Sequence, residues 1–132
     1  MKIKLAMFVA GVAVLLAGVP MVAHHSFAAE FDSNKPIKLT GTVTKIEWMN
    51  PHAYFYIDVK DESGKVANWG MEMGSPNGLM RQGWSRNSMK IGDVVAVEGS
   101  RAKDGSLIGN ARSVTLAGGK RLFAASSQGT TP

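Results

Sequence analysis

The chain has 132 residues, of which 15 are glycine and none is cysteine, and a formal charge of +5. This length provides one hydrophobic core and therefore one domain, and the lack of cysteine excludes disulfides, thiolate catalysis and cysteine-ligated metals. The formal charge falls to +3 without Lys2 and Lys4, so the charge gives no argument for nucleic acid, and we do not expect a nucleic-acid partner.

Residues 1–23 have the three parts of a secretory signal peptide. Two lysines precede an apolar run that ends at about Val19, and small residues follow it. The run contains glycine and is at the lower limit of length for a membrane-spanning helix, so we predict cleavage rather than a permanent membrane anchor. Cleavage after Ala23, or alternatively after Ala28, would leave a periplasmic or secreted protein.

Residues 24–37 precede the first regular pattern and are predicted to form an N-terminal arm. Phe27 and Phe31 are four residues apart. The arm therefore either forms a short helical turn with both rings facing the core or lies extended on the rest of the domain.

Two antiparallel strands are predicted over residues 38–49 and 52–60. In the first strand the apolar positions change parity between Val43 and Ile46, which predicts a β-bulge near Thr44-Lys45. The second strand alternates strictly, so it has one apolar and one polar face. The apolar face contains Ala53, Phe55, Ile57 and Val59, and the polar face contains His52, Tyr54, Tyr56 and Asp58.

The second half of the chain is predicted to contain further strands and one short helix. Ser75 and Pro76 have the residue types of an N-cap and a first helical position, and Leu79 and Met80 would then pack the helix on the domain. The remaining predictions are strand three over residues 66–73, strand four over 94–99, an Asp104-Gly105 turn, strand five over 107–116, a Gly118-Gly119 turn, an extra strand over 120–123 and a disordered tail over 124–132.

The order of these elements predicts the fold class. Three strands, a helix and two strands is the order of the OB-fold. We therefore predict an all-β protein with a small helical contribution: an OB-fold-like five-stranded Greek-key barrel over residues 38–123, with a short helix between strands three and four. The alternative is an irregular β-sandwich. It is the weaker prediction because a single helix after strand three is typical of the barrel. The predicted core contains Val43, Ile46, Phe55, Ile57, Trp69, Val95 and Val97.

Four segments of the chain are distinctive: AHHSFAAEFD after the leader, the pattern G-x-V-x-x-I-E-W-x-N-P-H, WGMEMGSPNGL and AKDGS. Together they resemble a bacterial family of small exported proteins catalogued as domain of unknown function 6152. The resemblance covers residues 24–123 and implies an exported, single-domain β-barrel with no assigned activity. It also implies that the His24-His25 pair belongs to the mature protein, which favours cleavage after Ala23.

The three histidines, His24, His25 and His52, form a candidate metal site. If cleavage follows Ala23, His24 carries the free α-amine, and an amine with two imidazoles is a nitrogen set that suits copper, with zinc as the other candidate ion. The alternative is that His24 and His25 are a flexible terminus and that His52 only hydrogen-bonds in the turn after Pro51.

The polar face of the second strand is a candidate site for an organic ligand. OB-folds commonly bind ligands on strands two and three. Tyr54 and Tyr56 could stack on sugars or bases there, and Asn68 and Glu72 are expected across the hairpin from them. The alternative is that both tyrosines cover the barrel against the N-terminal arm.

The sequence predicts a binding protein rather than an enzyme. It has no nucleophile elbow and no spacing of Ser, His and Asp that singles out a triad. Our leading hypothesis is an exported, non-enzymatic binding module of unknown ligand. The alternatives are metal binding through the three histidines, oligosaccharide or nucleic-acid binding on the face of strands two and three, and, as an enzyme, a copper oxidase built on His24.

Overall fold

One long strand, β1 (Phe31–Glu47), pairs with two partners along its length. Its first part is antiparallel to β4 (Val94–Ala102) and its last part is antiparallel to β2 (Tyr54–Lys60). The β1–β2 register shifts between Val43 and Lys45, which confirms the predicted bulge. Because a bulge bends and twists a strand, β1 can leave one neighbour and join the other.

The sheet closes on itself through a short parallel pairing. The computed structural model describes residues 27–126, and in that part of the chain the strand order is β3-β2-β1-β4-β5-β6. The closing pair is β3 (Val66–Glu72) and β5 (Ile108–Thr115), which are parallel from Gly70↔Ile108 to Glu72↔Asn110.

A short helix, α1 (Pro76–Arg81), joins β3 to β4. Five strands closed in this order, with one helix after the third, are the topology of the OB-fold, so the predicted fold class is confirmed. The extra strand, β6 (Arg121–Phe123), pairs with β5 after the Gly118-Gly119 turn.

The N-terminus of α1 follows from its sequence. Ser75 has extended backbone angles and its Oγ accepts a hydrogen bond from the amide of Gly78 at 3.1 Å, while Pro76 occupies the first turn. Leu79 is fully buried, but Met80 is 52% exposed. The prediction that Met80 packs on the barrel is therefore wrong, because a helix of six residues presents only one narrow face to the core.

The first strand begins earlier than predicted. Residues 27–30 are helical, and β1 starts at Phe31 rather than at residue 38, because Phe31, Asp32, Pro36 and Ile37 pair with the end of β4. The rings of Phe27 and Phe31 lie 5.6 Å apart between centroids, and Phe31 is buried. The segment predicted as an arm thus combines a helical turn with the beginning of the barrel's longest strand.

The core lies inside the closed barrel and is lined by alternate residues of each strand. Six of the seven predicted core residues are buried, whereas Ile46 is half-buried and packs against the core from the barrel's edge. Ile46 is more exposed because it follows the bulge, near the end of β1. The six are Val43, Phe55, Ile57, Trp69, Val95 and Val97.

The chain remains packed beyond β6. Ala124 is fully buried, and its amide donates to the carbonyl of Arg112 while its carbonyl accepts from the amide of Gly74. Ser126 is 5% exposed. The predicted disordered tail therefore does not begin at Ala124, because Ala124 completes backbone hydrogen bonds of β5 and of the segment after β3. Residues 127–132 lie outside the described residues.

Between residues 27 and 126, no helix is long and apolar enough to cross a membrane. The predicted signal peptide, residues 1–23, lies outside the described residues.

Replacement of Phe55 tests the core directly. Phe55 is completely buried in β2, so Phe55→Ala should lower the free energy of unfolding by about 3–5 kcal/mol through the cavity it leaves. Urea denaturation measures this change. Val66→Ala, at a half-exposed position of β3, is the control and should change stability by less than about 0.5 kcal/mol. Equal effects of the two substitutions would contradict the described core.

Candidate functional site

His52 lies in the loop between β1 and β2, and its ring is fixed by the backbone of a neighbouring strand. Nδ1 lies 3.0 Å from the carbonyl oxygen of Met73. Because a carbonyl only accepts, Nδ1 carries the proton, and in the neutral ring the lone pair is on Nε2. The side chain is 34% exposed. The ring of His52 is therefore anchored through Nδ1, and Nε2 is the nitrogen that the neutral ring leaves unprotonated.

Glu72 is a buried carboxylate at the end of β3. It is 6% exposed. Its Oε2 accepts a hydrogen bond of 2.7 Å from the hydroxyl of Tyr54, and its Oε1 accepts one of 3.4 Å from Nδ2 of Asn110. Nδ1 of His52 lies 3.8 Å from Oε1. The closed sheet explains this convergence, since Tyr54 and Asn110 are the residues directly opposite Glu72 on its two neighbouring strands.

The same hydrogen-bonded chain continues to the segment after β6. Asn110 is 1% exposed, and its Oδ1 accepts from the hydroxyl of Ser126. We call His52, Tyr54, Glu72, Asn110 and Ser126 the Glu72 cluster. It connects the loop before β2, three strands and the chain beyond β6.

The electrostatics of the cluster keep Tyr54 neutral. Burial raises the pKa of Tyr54 well above its ordinary value, and the hydrogen bond to Glu72 and the negative charges of Glu72 and Glu30 raise it further. Tyr54 therefore acts as a hydrogen-bond donor at neutral pH, which excludes it as a phenolate ligand or a general base there.

The other predicted ligand-binding residues are engaged further along the same face. The ring of Tyr56 packs over Gly70, where an added Cβ would lie 3.1 Å from its Cε1, and Nζ of Lys45 lies 5.2 Å from the ring centroid. Nδ2 of Asn68 donates to Oγ1 of Thr44 at 3.1 Å and to Oδ1 of Asp58 at 2.9 Å.

The structure therefore divides the residues predicted as sites. It brings His52, Tyr54 and Glu72 together and leaves Asn68 at the opposite end of β3. His24 and His25 lie outside the described residues. Within residues 27–126, no group of three His, Cys, Asp or Glu side chains could hold a metal ion.

Asn110 and Ser126 belong to the cluster, and sequence reasoning missed both. For Asn110 the sequence did contain an indication of a role in the site. Asparagine is depleted in strands, so its presence inside strand five indicates a hydrogen-bonding role. For Ser126 the sequence contained no such indication, since it lies in a polar segment that resembles a flexible terminus.

The model of a family of unknown function, DUF6152, matches residues 12–111. This chain belongs to that family. The match confirms the resemblance found in the sequence, and it spans His24 and His25. No curated protein matches the sequence.

Two solved structures are similar to this DUF6152 chain. One is Rim1, a mitochondrial single-stranded DNA binding protein from S. cerevisiae, at 12% identity and a TM-score of 0.49, with 62% of this chain and 92% of that chain covered. The other is the N-terminal domain of PriB from Thermoanaerobacter tencongensis, at 22% identity and a TM-score of 0.47, with 64% and 97% covered. The OB-fold assignment depends on the closed strand order itself.

The neutral state of Tyr54 can be tested by alkaline titration, because Tyr54 and Tyr56 are the chain's two tyrosines. The unfolded chain loses the Tyr54 proton as the pH rises above about 10, whereas the folded chain keeps it. The contribution that neutral Tyr54 makes to the free energy of unfolding is thus fully present below that pH. It is lost as the pH rises further. Phenolate absorbance should show a late-titrating tyrosine that Tyr54→Phe removes and Tyr56→Phe retains.

The pH dependence of unfolding gives a second readout of the same residue. Stability should fall less steeply above about pH 10 in Tyr54→Phe than in the unaltered protein. A late-titrating tyrosine that persists in Tyr54→Phe would contradict the role of the Glu72 cluster.

Proposed function

We propose that this protein is an exported, non-enzymatic binding module of the periplasm or the extracellular space, and that its ligand is a copper or zinc ion held by His24, His25 and His52. The observation that carries the proposal is the hydrogen bond from Nδ1 of His52 to the carbonyl of Met73. Histidines that bind metals through one ring nitrogen usually donate the other N–H to a carbonyl or a carboxylate. His52 has this arrangement and keeps Nε2 for a ligand.

The surroundings of His52 support a cation. The carboxylate of Glu72 lies 3.8 Å from Nδ1, and Tyr54 and Asn110 hold that carboxylate in place. In metal sites, a carboxylate near the ring of a ligating histidine helps to fix the orientation of that ring. The Glu72 cluster would therefore orient His52 rather than bind the ion itself.

The position of residues 27–30 supports the contribution of His24 and His25. The carbonyl of Glu30 accepts from the amide of Lys103 at 2.9 Å, and the charge of Glu30 acts on Tyr54. The helical turn of residues 27–30 thus lies on the Tyr54 side of the barrel. His25 precedes this turn by two residues in the sequence. Both histidines are therefore close in sequence to a segment that is fixed near the cluster.

The alternative of sugar or nucleic-acid stacking has less support. The Tyr54 hydroxyl and the Asn68 amide are bonded within the protein, and one face of the Tyr56 ring covers Gly70. Carboxylates of Asp58 and Glu72 also lie on this face, where they would repel phosphates. We therefore retain this alternative only as a hypothesis tested by binding screens.

Metal titration of the mature chain beginning at His24 tests the proposal. Calorimetry with Cu(II) and with Zn(II) should detect binding that weakens as the pH falls through the histidine range near about 6.5, because only unprotonated nitrogen binds metal. His52→Asn should weaken binding more than about tenfold. The asparagine amide can still donate to Met73, so the loop keeps its anchor and only Nε2 is lost.

Two matched variants complete this experiment. One extra alanine before His24 displaces the α-amine and should weaken copper without changing thermal stability. Lys60→Gln, at an exposed position at the far end of β2, should bind metal normally. Binding that is unchanged by both His52→Asn and the added alanine would refute the proposed site.

A further inference from the structure

A second concave surface lies away from the Glu72 cluster, beside the first part of β1. It is a groove of about 620 Å³ between β1, β4, β5 and β6. Ligand pockets usually have volumes of about 300–1,000 Å³, so the groove is large enough for a small molecule. It is lined in part by Ile37, Lys38, Glu98, Arg112, Arg121 and Phe123.

Two strand irregularities meet at this groove. In the β1–β4 pairing, Asp32 and Pro36 are opposite the consecutive residues Arg101 and Ser100, so residues 33–35 have no partners in β4. In the β4–β5 pairing, Glu98 and Gly99 are opposite Ser113 and Ala111, so Arg112 is the extra residue of a bulge. Bulges of this kind redirect side chains and are frequent beside binding sites.

The bulge at Arg112 is built into the sequence. A Cβ on Gly99 would overlap the carbonyl oxygen of Asn110, so glycine is required for β4 to approach β5 this closely. The carbonyl of Arg112 accepts the amide of Ala124 at 2.9 Å. The backbone that carries the Arg112 side chain is therefore held in place from both sides.

The charges around the groove favour an anion. Lys38, Arg112 and Arg121 are three cations that line the groove, and Glu98, whose Oε1 lies 3.6 Å from Nζ of Lys38, is the one acidic residue in its lining. Nη2 of Arg121 donates to Glu98 at 2.7 Å and to Oγ of Ser113 at 3.1 Å, and Nε also contacts Ser113. These bonds fix the guanidinium and do not use Nη1, so two N–H groups of a pre-oriented arginine remain for a ligand.

The apolar part of the lining limits the kind of anion. Ile37 and Phe123 are half-buried and Pro36 is exposed beside the cations. A ligand that matched both features would combine a carboxylate, which arginine binds in a planar paired geometry, with a small apolar group. We propose that this groove is a binding site for a small organic carboxylate with an apolar portion, independent of the metal site at His52.

Titration of the ¹⁵N-labelled protein with 3-phenylpropionate tests this site by NMR. The amides of Gly99, Arg112 and Phe123 should shift together and saturably. The neutral analogue 3-phenylpropanol should bind at least about tenfold more weakly if the carboxylate is recognised. Inorganic phosphate serves as a third probe, and tighter binding of phosphate than of 3-phenylpropionate would overturn the carboxylate assignment.

Charge variants make the test specific. Arg112→Gln should weaken 3-phenylpropionate more than about tenfold, while Arg86→Gln makes the same charge change in an exposed loop outside the groove and should have no effect. Glu98→Gln can still accept from Arg121 but lacks the opposing charge, so it should tighten binding several-fold.

The amide spectrum of each variant verifies its fold. No shift with 3-phenylpropionate, equal affinity for the alcohol, or unaltered affinity in Arg112→Gln would each overturn the proposal. Weaker binding in Glu98→Gln with a native-like spectrum would also count against it.

Discussion

The parallel pairing of β3 with β5 is the constraint on which the rest of the structure depends. It involves three residue pairs, and it converts an open antiparallel sheet into a barrel. Space for it is provided by Gly109, where a Cβ would lie 2.5 Å from Cδ1 of Ile37 and 2.9 Å from Cε of Met71. A larger residue there would force the ends of the Ile37 and Met71 side chains to shift.

Closure also explains why a carboxylate can be buried at the end of β3. An isolated buried charge is costly unless hydrogen bonds compensate it. Glu72 receives donors from both neighbouring strands, from Tyr54 on β2 and from Asn110 on β5. Without the β3–β5 pairing, Asn110 would not lie beside Glu72, and the carboxylate would lose one of its hydrogen-bond donors. The barrel and the Glu72 cluster therefore stabilise each other.

Local sequence patterns were sufficient to predict most of the fold. The change of parity before Ile46 located the bulge, and Ser75 with Pro76 located the start of α1. Patterns failed where long-range pairing decides the structure. Residues 31–37 are largely polar and irregular, yet they form a strand because β4 extends to meet them.

The candidate sites were harder to predict because their parts are distant in the chain. His52, Tyr54 and Glu72 could be placed at one end of a hairpin, since strand register follows from alternation. Asn110 reaches Glu72 only through closure of the barrel. The groove at Arg112 depends on two bulges in different strand pairs, and neither produces a change of apolar parity as clear as that at Val43 and Ile46.

The two proposed sites differ in how the fold prepares them. At His52, one hydrogen bond to a backbone carbonyl selects the tautomer, and a buried carboxylate stands behind the ring. At Arg112, the backbone itself is displaced so that a side chain is redirected. In both places, a hydrogen bond to a backbone carbonyl from a neighbouring segment fixes part of the site before any ligand arrives, which lowers the entropic cost of binding.

The central claim is that His52 is held with Nε2 ready for a metal. The most direct measurement is ¹⁵N NMR of its imidazole in the mature protein, assigned by comparison with His52→Asn. In the neutral form of the ring, the proton should be on Nδ1, and addition of Zn(II) should shift Nε2 while Nδ1 keeps its proton. A neutral ring protonated on Nε2, or an Nε2 signal that does not respond to Zn(II), would contradict the central claim.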